Sequence, residues 1–285
     1  MEKLKIAIQK GGRLSEKAIE LLKNCGFDLN LGHNKLRATV PNSNIEILFL
    51  RDDDIPKYVE NGVAQFGVVG ENVFLEDKRE VNVVSKLGFG KCRLSLAIPR
   101  SEKYTDASFF EGKRIATSYA NILSKFLDEK GIKASIHDIS GSVEIAPGIG
   151  LADAVFDIVS TGSTLAMNGL KEVETVIKSE AVLIANKNLS QEQQEFLEQL
   201  LFRISSVLEA KDKRYILLNA PNDKLQEIAD VLPGINSPTV MPLLKEGWSS
   251  VHSVVKSSEI WSVIDNLHKT GAEGILVVPI EKMFK

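Results

Sequence analysis

Residues 4–26 have the sequence LKIAIQKGGRLSEKAIELLKNCG, and this stretch sets the pattern for most of the chain. LKIAIQ predicts a short buried strand, KGGRL a glycine loop, and SEKAIELLKNCG a helix with Ser15 as N-cap and Gly26 as C-cap. The same order recurs where IEILFLR precedes DDDIPKYVENG and where QFGVVG precedes ENVFLED. Alternating strands and helices indicate an α/β fold, for which we expect parallel pairing.

The pattern restarts after residue 90, which predicts a second α/β lobe. RLSLAIP, KRIATS and KASIHDIS predict strands, and YANILSKFLDEKG predicts a helix. The strand VETVIKSEAVLIANKN and the amphipathic stretch SQEQQEFLEQLLFRISSVLEA would then return the chain to the first lobe. Two crossings predict a cleft between the lobes, and such clefts commonly bind ligands.

From Arg214 the order of elements changes to β-α-β-β-α-β. RYILLNAP, SPTVMPL, WSSVHSVVK and GILVVPI predict the strands, and NDKLQEIADVLP and SSEIWSVIDNLHKTG predict the helices. This is the order of a ferredoxin-like domain, which often serves as an accessory module. We therefore place the first lobe at residues 1–92 plus 179–210, the second lobe at 93–178 and the C-terminal domain at 211–285.

Composition and charge narrow the functional classes. Of the 285 residues, 44% are hydrophobic and 26% charged, as in ordinary globular proteins. The formal net charge of -3 gives no general attraction to nucleic acid or an anionic membrane, so phosphate binding requires local cations and backbone amides. The first residues, MEKLKIAIQKGG, lack the apolar core of a secretory signal, and no apolar run approaches the ~20 residues of a membrane span. We expect a cytoplasmic location.

Cysteines and histidines predict neither a disulfide framework nor a metal site. Only Cys25 and Cys92 are present, and both are expected to be inert thiols. The histidines lie far apart and lack the spacing of metal ligands; they are His33, His137, His252 and His268.

The segment GLADAVFDIVSTGSTLAMNGL, residues 150–170, is the richest in groups suited to phosphate. Its strand AVFDIV leads through a polar loop into a helix, which directs free backbone amides and the helix dipole at one point. Gly162 would admit a phosphate close to the backbone, and Asp153 or Asp157 would accept from sugar hydroxyls or help to hold Mg2+. For the loop alone, a simpler interpretation is a capped helix after a glycine turn. The loop consists of Ser160, Thr161, Gly162, Ser163, Thr164 and Leu165.

Cations near two other predicted strand ends are further candidates. Lys10 and Arg13 either bind a triphosphate or pyrophosphate or are solvated surface cations. Arg51 either clamps a phosphate or pairs with one of the aspartates that follow it. The run DDD at residues 52–54 suits a helix N-terminus as well as it suits magnesium.

Polar residues at the remaining strand ends complete the candidate set. Glu71 either contacts adenine or ribose or caps a helix. Thr117, Ser118 and Tyr119 are expected to line the same cleft, where the tyrosine ring would stack on or border a base, unless it belongs to the core. Arg93, near the predicted crossing, serves either a phosphate or a hinge salt bridge.

Taken together with Glu144, the 150–170 segment resembles the signature of the ATP phosphoribosyltransferase family. The constrained positions of that signature are filled by Glu144, Gly150, Asp157, the TGST run and Leu165. The chain is also similar to this family in KGGRL at residues 10–14, RDDDIP at 51–56 and GVVGEN at 67–72. With KCRLSLA, KRIATSY and ILVVPIEKM, the resemblance extends over nearly the whole chain.

The resemblance implies a reaction and its substrates. Adenine N1 of ATP would attack the anomeric carbon of phosphoribosyl pyrophosphate, and magnesium-bound pyrophosphate would leave without a covalent enzyme intermediate. It assigns the 5-phosphate to the loop at 161–165, with Asp157 near the ribose. Lys10, Arg13 and Arg51 would lie near the pyrophosphate or the ATP phosphates.

The resemblance also covers the C-terminal domain. Long-form members of the family carry an ACT-like domain that binds L-histidine as a feedback inhibitor of this first step of histidine biosynthesis. It implies that residues 211–285 form such a domain and that the protein is a homo-oligomer, either a hexamer or a dimer in exchange with one. By position, SPTVMPL and WSSVHSV are candidates for the histidine site.

The predicted fold is therefore α/β, with a two-lobe catalytic region like type II periplasmic binding proteins and a C-terminal ferredoxin-like, ACT-like domain. The alternative function is a cytoplasmic small-molecule-binding protein of that fold without catalysis. The phosphate-adapted loop, the missing secretory signal and the additional C-terminal domain favour the enzyme. A different amino-acid-regulated nucleotide enzyme is disfavoured because no GxxxxGK[ST] or GxGxxG motif is present.

Overall fold

The computed structural model describes residues 3–29, 36–41, 43–232 and 237–284. The chain forms two compact units, Met1–Phe196 and Leu197–Lys285. The boundary between the units lies within one long helix, upstream of residue 211, where the sequence predicts that the C-terminal domain starts. The predicted domain boundaries, including those of the two lobes, stay a prediction. None of the helices in the described ranges has the length and apolar character needed to cross a bilayer.

The first unit is built from strands that alternate with short helices. Its strands are β1 (Leu4–Gln9), β2 (Arg37–Thr39), β3 (Ile45–Leu50), β4 (Phe66–Gly70), β5 (Val81–Lys86), β6 (Cys92–Pro99), β7 (Arg114–Thr117), β8 (Ser135–Asp138), β9 (Ala154–Val159), β10 (Leu170–Ser179) and β11 (Ala181–Asn186). Its helices are α1 (Arg13–Asn24), α2 (Ile55–Glu60), α3 (Glu71–Asp77), α4 (Ala120–Lys130) and α5 (Ser163–Met167), and α6 (Gln191–Lys211) leads into the second unit.

These strands form two sheets, which define two lobes and have the same topology apart from the additional edge strand β2, antiparallel to β3. The first has the order β2-β3-β1-β4-β11-β5 and the second the order β10-β6-β9-β7-β8. In each sheet the strand that has just crossed from the other lobe, β11 or β6, is inserted antiparallel to both neighbours. The expectation of parallel pairing is therefore wrong for these strands and correct for β1 with β3 and β4 and for β7 with β8 and β9. A crossing strand enters its new sheet from the opposite end, which reverses its direction.

Helix α1 begins earlier than the sequence pattern predicts. Gly12, at φ 87°, precedes the helix, and its carbonyl accepts a hydrogen bond from the Glu16 N–H at 3.1 Å. Ser15 lies buried inside the helix and is not its N-cap. Arg13 consequently lies in the first turn, at the carboxyl end of β1. Gly26, at φ 86°, follows the C-cap residue Cys25, so the predicted helix end is displaced by one residue.

The two lobes bury separate apolar cores against their sheets. That of the first lobe includes Ile6, Ile8, Ile47, Ile55, Phe66 and Val69. That of the second includes Leu94, Leu96, Ile98, Phe110, Ile115 and Phe156. Because both faces of these sheets are covered, their inner strands are mostly apolar, as β3 (IEILFL) and β11 (AVLIAN) illustrate, with Glu46 and Asn186 as their buried polar exceptions.

The second unit has the predicted β-α-β-β-α-β order. Its strands are β12 (Lys213–Pro221), β13 (Thr239–Pro242), β14 (Trp248–Lys256) and β15 (Glu273–Pro279), and its helices after α6 are α7 (Leu225–Val231) and α8 (Ile260–Lys269). The antiparallel sheet has the order β13-β14-β12-β15. Apolar residues of the sheet and of both helices pack into one cluster, which includes Ile216, Leu218, Ile228, Val251 and Leu267. The ferredoxin-like domain is confirmed.

Asp153 requires a correction, because it lies at the wrong end of its strand to serve the loop that begins at Ser160. The six residues of β9 separate the two, about 20 Å at the rise of a strand. Its carboxylate accepts from Arg114 through Nη2 at 2.8 Å, Nε at 3.2 Å and the backbone N–H at 2.9 Å. These hydrogen bonds lower the pKa of Asp153 to about 2. The residue joins the starts of β7 and β9.

This pair predicts a pH-dependent contribution to stability. Since the pKa of Asp153 is lower in the folded chain than its ordinary value of 3.8, the contribution is present above about pH 4 and is lost as the pH falls toward 2. We expect Asp153→Asn to lower the melting temperature at pH 7 and the difference from wild type to shrink below pH 4. Melting followed by circular dichroism tests this, with the exposed Asp128→Asn as control. A difference that is constant from pH 7 to pH 3 would refute it.

Candidate functional site

Two adjoining cavities lie between the lobes of the first unit and share Lys91, Cys92 and Ser160. The one we call the cleft cavity has a volume of about 350 Å³ and includes Gln9, Arg13, Leu14, Lys17, Asp52 and Asn72 from the first lobe and Tyr119, Ile158 and Ser160 from the second. The one we call the hinge cavity has a volume of about 420 Å³ and includes Glu71, Lys86, Arg93, Lys178, Ser179 and Glu180. The predicted cleft is therefore present, at the carboxyl ends of β1, β4, β7 and β9.

The cleft cavity presents cations without acidic partners. Arg13 and Lys17 are one turn apart on α1 and thus share a helix face. Lys91 is the last residue of the first crossing between the lobes. Within the described residues, no carboxylate lies within 4 Å of any of these three cations, although Asp52 lines the same cavity. A cavity of this kind attracts an anion with several charges.

The hinge cavity contains both paired and unpaired cations. Lys86 Nζ lies 3.3 Å from Glu71 Oε2 and 3.9 Å from Glu180 Oε1. Arg93 forms a two-point pair with Glu172, and its Nη1 donates to the Ser160 carbonyl at 3.1 Å. Of the two roles considered for Arg93, the structure favours the salt bridge, made within the second lobe. Lys178 has no acidic partner among the residues described.

The polar loop after β9 has the geometry of a tight turn before a helix. Gly162 adopts φ 81° directly before α5. Thr161 Oγ1 and Ser163 Oγ are 3.0 Å apart, and the Ser163 N–H donates to Thr161 Oγ1 at 3.4 Å. Thr161, Ser163 and Thr164 are exposed, whereas Leu165 is buried in the second lobe's core. The hydroxyls of the loop are thus accessible to a ligand, while the buried Leu165 side chain anchors the loop to the core.

Asp157 and Glu144 lie close enough for their charges to interact. Asp157 is the fourth residue of β9, and Glu144 belongs to a short 3-10 turn at Val143–Ile145. Burial raises the pKa of Asp157, the Ile158 N–H opposes that shift, and the charge of Glu144 raises the pKa further. The carboxylates of Asp157 and Glu144 therefore interact with each other, whereas that of Asp153 is bound to Arg114.

Asn72 connects the two lobes through buried hydrogen bonds. Its backbone N–H donates to Ser179 Oγ at 3.0 Å, and that hydroxyl donates to Asn72 Oδ1 at 2.9 Å. Its Nδ2 donates to the Tyr119 hydroxyl of the second lobe at 3.2 Å. Burial raises the pKa of Tyr119, and the bond from Asn72 partly offsets the shift, so the phenol is neutral at physiological pH.

A second contact between the lobes caps helix α4. Glu76 on α3 accepts from the backbone N–H groups of Asn121 and Ile122 at 2.8 and 3.0 Å. Tyr119, which occupies the N-cap position of α4, gives that helix no side-chain cap. A carboxylate of the first lobe therefore satisfies the helix N-terminus of the second.

Several predicted site residues lie outside both cavities. Lys10 is exposed, and its backbone N–H donates to the Leu50 carbonyl at 2.7 Å. Arg51 Nη2 lies 3.8 Å from Asp53 Oδ2. This is the alternative considered from the sequence, in which Arg51 pairs with one of the aspartates that follow it. Thr117 is buried and accepts from the Tyr119 N–H, and Ser118 donates to the Ile139 carbonyl at 2.6 Å. These last two residues shape the turn that presents Tyr119.

Sequence reasoning missed Lys17, Lys91, Lys178 and a role for Asn72. The spacing of Arg13 and Lys17 was an available signal, because residues four apart on a helix share a face. Asn72 closes the GVVGEN motif, but nothing local gives it a role, because its partners are 47 and 107 residues away. Over the described ranges, no group of three or more His, Cys, Asp or Glu side chains is arranged to hold a metal ion. His33 lies outside the described residues.

Comparison with known proteins identifies the family. A family model described as ATP phosphoribosyltransferase matches residues 51–206, and one for the HisG C-terminal domain matches residues 210–282. The ATP phosphoribosyltransferase of Cytophaga hutchinsonii is 56% identical over 282 residues, covering 99% of each chain. That of Phocaeicola vulgatus is 57% identical over 280 residues, covering 98% of this chain and 99% of its own.

Solved structures agree with the fold. The ATP phosphoribosyl transferase (HisG:HisZ) complex from Thermotoga maritima matches with a TM-score of 0.60 and 30% identity, covering 71% of this chain and 98% of that one. Tv2483 bound to L-arginine matches with a TM-score of 0.52 at 12% identity, covering 74% and 86%, which concerns the fold alone. The predicted two-lobe α/β fold is confirmed. On the extent of the family match and of the identity to these relatives, the chain belongs to the ATP phosphoribosyltransferase family.

Proposed function

We propose that ATP and phosphoribosyl pyrophosphate meet in the two cavities between the lobes, where this enzyme carries out the first step of histidine biosynthesis. The observation that carries the proposal is the set of cations without acidic partners around the cavities, next to the exposed hydroxyls of the loop after β9. Both substrates are polyanions, and the cations provide the local positive charge that the chain's net charge of -3 does not.

The reaction exchanges one bond to the anomeric carbon for another. Adenine N1 forms a bond to that carbon while the bond to the pyrophosphate oxygen breaks, giving N1-(5-phosphoribosyl)-ATP and pyrophosphate. Positive charge develops on the sugar and negative charge on the leaving group. The protein's contribution is then to align the two substrates and to stabilise the leaving group with fixed charges, and no enzyme nucleophile takes part.

Features of the site support the following proposed positions of the substrate groups. The 5-phosphate would bind the loop at 161–165, whose hydroxyls are exposed, with Asp157 near the ribose. Arg13, Lys17 and Lys91 would face the remaining phosphates, which are the pyrophosphate group and the phosphates of ATP. Lys10 and Arg51, proposed from the sequence for the same role, remain candidates as exposed cations next to the strand ends. Glu71, paired with Lys86, would border the adenosine.

Mg2+ is the proposed cofactor. The candidate donors are Asp157 and Glu144 near the loop and Asp52 in the cleft cavity. This small number of carboxylates is consistent with Mg2+. In sites of this kind the ion binds mostly to substrate phosphates and water, with one or two protein carboxylates. When bound, the ion neutralises charge on the departing pyrophosphate.

The C-terminal domain is proposed to be regulatory. It matches the HisG C-terminal model, and we propose that it binds L-histidine as an inhibitor, with β13 and β14 as candidate segments. The Thermotoga maritima structure is a complex of two kinds of chain, whereas this chain carries an additional domain of its own. We propose that it acts without a second kind of subunit, as a homo-oligomer such as a hexamer, in the cytoplasm.

The cations of α1 provide a first test. We expect Arg13→Ala and Lys17→Ala each to raise the KM for at least one substrate about tenfold or more, because each removes a charge that faces a phosphate. Lys23→Ala, an exposed cation in the last turn of the same helix, is the control and should leave both KM values unchanged. Wild-type kinetics in both α1 variants would exclude this cavity as the substrate site.

The loop glycine gives a second test. Gly162→Ala places a side chain at φ 81°, which costs about 1–2 kcal/mol of backbone strain, and we expect the loop to shift and the KM for phosphoribosyl pyrophosphate to rise while that for ATP changes little. Gly169→Ala is a matched control, with φ 70° at the other end of α5 and open space around its Cβ. Equal effects of the two substitutions would mean that strain alone, and not phosphate binding, explains the loss.

Regulation is tested on the full chain. We expect L-histidine, but not L-arginine, to suppress formation of phosphoribosyl-ATP from ATP, phosphoribosyl pyrophosphate and Mg2+, followed by mass spectrometry while pyrophosphate is removed. Activity indifferent to L-histidine would refute the regulatory proposal alone. Folded protein that gives no product would favour the alternative of a binding protein without catalysis.

A further inference from the structure

Tyr119 lines the cleft cavity beside Asn72, and the protein fixes the hydrogen-bonding role of its hydroxyl. The hydroxyl accepts from Asn72 Nδ2 at 3.2 Å. Among the described residues, none accepts a hydrogen bond from this hydroxyl. The phenol is therefore oriented with one lone pair engaged by the first lobe and its proton available to the cavity.

The orientation of the Asn72 amide is fixed in turn. A backbone N–H only donates, so the Ser179 hydroxyl accepts from the Asn72 N–H and directs its single proton to Asn72 Oδ1. The amide then presents Nδ2, and not Oδ1, to Tyr119. Both Asn72 and Ser179 are about 95% buried, so water does not compete for these bonds.

Gly70 allows this arrangement. A Cβ at residue 70 would lie 2.6 Å from Asn72 Oδ1, so any larger residue there displaces the amide. The φ of Gly70 is -67°, which every residue adopts, so the close approach of Asn72 and not backbone conformation requires glycine. The end of β4 is thus shaped around the Asn72 side chain.

The cavity around Tyr119 is suited to an anionic acceptor. Arg13, Lys17 and Lys91 line it together with Tyr119, and Asp52 is the one carboxylate among its lining residues. An O–H donor held among three cations matches a phosphoryl oxygen, which accepts several charge-assisted hydrogen bonds. A ribose hydroxyl, by contrast, needs no such charge.

We infer that Asn72 is a positioning residue, which fixes the Tyr119 hydroxyl as a hydrogen-bond donor to a phosphoryl oxygen of a substrate bound between the lobes. The inference rests on the proposed location of the substrates in the cleft. It assigns Tyr119 a polar role, in place of stacking on a base. Because donor and positioning residue belong to different lobes, the donor is set only when the lobes are together.

A double-mutant cycle tests the inference. We expect Tyr119→Phe and Asn72→Ala each to lower kcat/KM for one substrate by about tenfold to a hundredfold. The loss of kcat/KM in the double variant should not exceed the loss in the less active of the two single variants. Gly70→Ala, which leaves both side chains chemically intact, should reproduce the loss. Multiplying losses in the double variant would overturn the inference, because Asn72 would then act independently of Tyr119.

The isosteric change Asn72→Asp adds a readout that a merely structural role would not give. Its ionised carboxylate would accept the Tyr119 proton, so activity should fall at neutral pH and recover toward wild type as the carboxylate is protonated. The same recovery in the Tyr119→Phe background would overturn the inference, since it would reflect charge alone. Asn186→Asp is the matched control: Asn186 is buried, donates to the Val59 and Glu60 carbonyls and is remote from the cavity lining. It should destabilise the fold without changing the pH profile.

Failure of this inference is distinguishable from failure of the proposed function. If Arg13→Ala and Lys17→Ala raise KM but Tyr119→Phe behaves as wild type, the substrates bind in the cleft and Tyr119 is not their donor. If none of the three substitutions changes the kinetics of an active enzyme, the proposed location of the substrates fails as well.

Discussion

The backbone hydrogen bonds that hold β6 between β9 and β10, and β11 between β4 and β5, determine the architecture of the first unit. Each sheet is completed by a strand that arrives from the other lobe. Neither lobe is therefore a continuous stretch of sequence. The cleft lies between two sheets that are linked by these crossing strands. Its lining residues therefore come from both lobes.

This sharing explains why the site's residues are scattered along the sequence. Arg13 follows β1, Asn72 follows β4, Tyr119 follows β7, and Ser160 follows β9. In each lobe these are parallel strands whose carboxyl ends point at the cleft, the usual position of ligand sites in open α/β sheets. The first crossing adds Lys91, and the end of β10 adds Lys178. Short polar loops after buried strands thus converge on the substrates while the cores remain apolar.

The sequence supported much of the fold, since buried strands, glycine loops and amphipathic helices leave strong local patterns. The signal that separates Asp153 from Asp157 was present in the sequence but not used: the predicted strand AVFDIV has Asp153 before its first residue, whereas Asp157 lies within it and close to the loop. The sequence could not assign Asn72, whose partners depend on how the lobes meet. The cations Lys91 and Lys178 were missed because no helix or loop pattern distinguishes them from solvated lysines. Antiparallel insertion of β6 and β11 likewise follows from tertiary connection and not from local propensity.

The two crossings of the chain also run side by side. β5 continues through residues 87–91 into β6, β10 continues through Glu180 into β11, and the two paths bond to each other in the hinge, where the Leu87 N–H reaches the Ala181 carbonyl at 2.9 Å and the Ala181 N–H reaches the Phe89 carbonyl at 2.8 Å. The connection between the lobes is thus a two-stranded ribbon and not a pair of independent linkers. Such a ribbon bends across its flat face far more easily than it shears along its length. The two connections are therefore built to bend together as one hinge, and not to move independently.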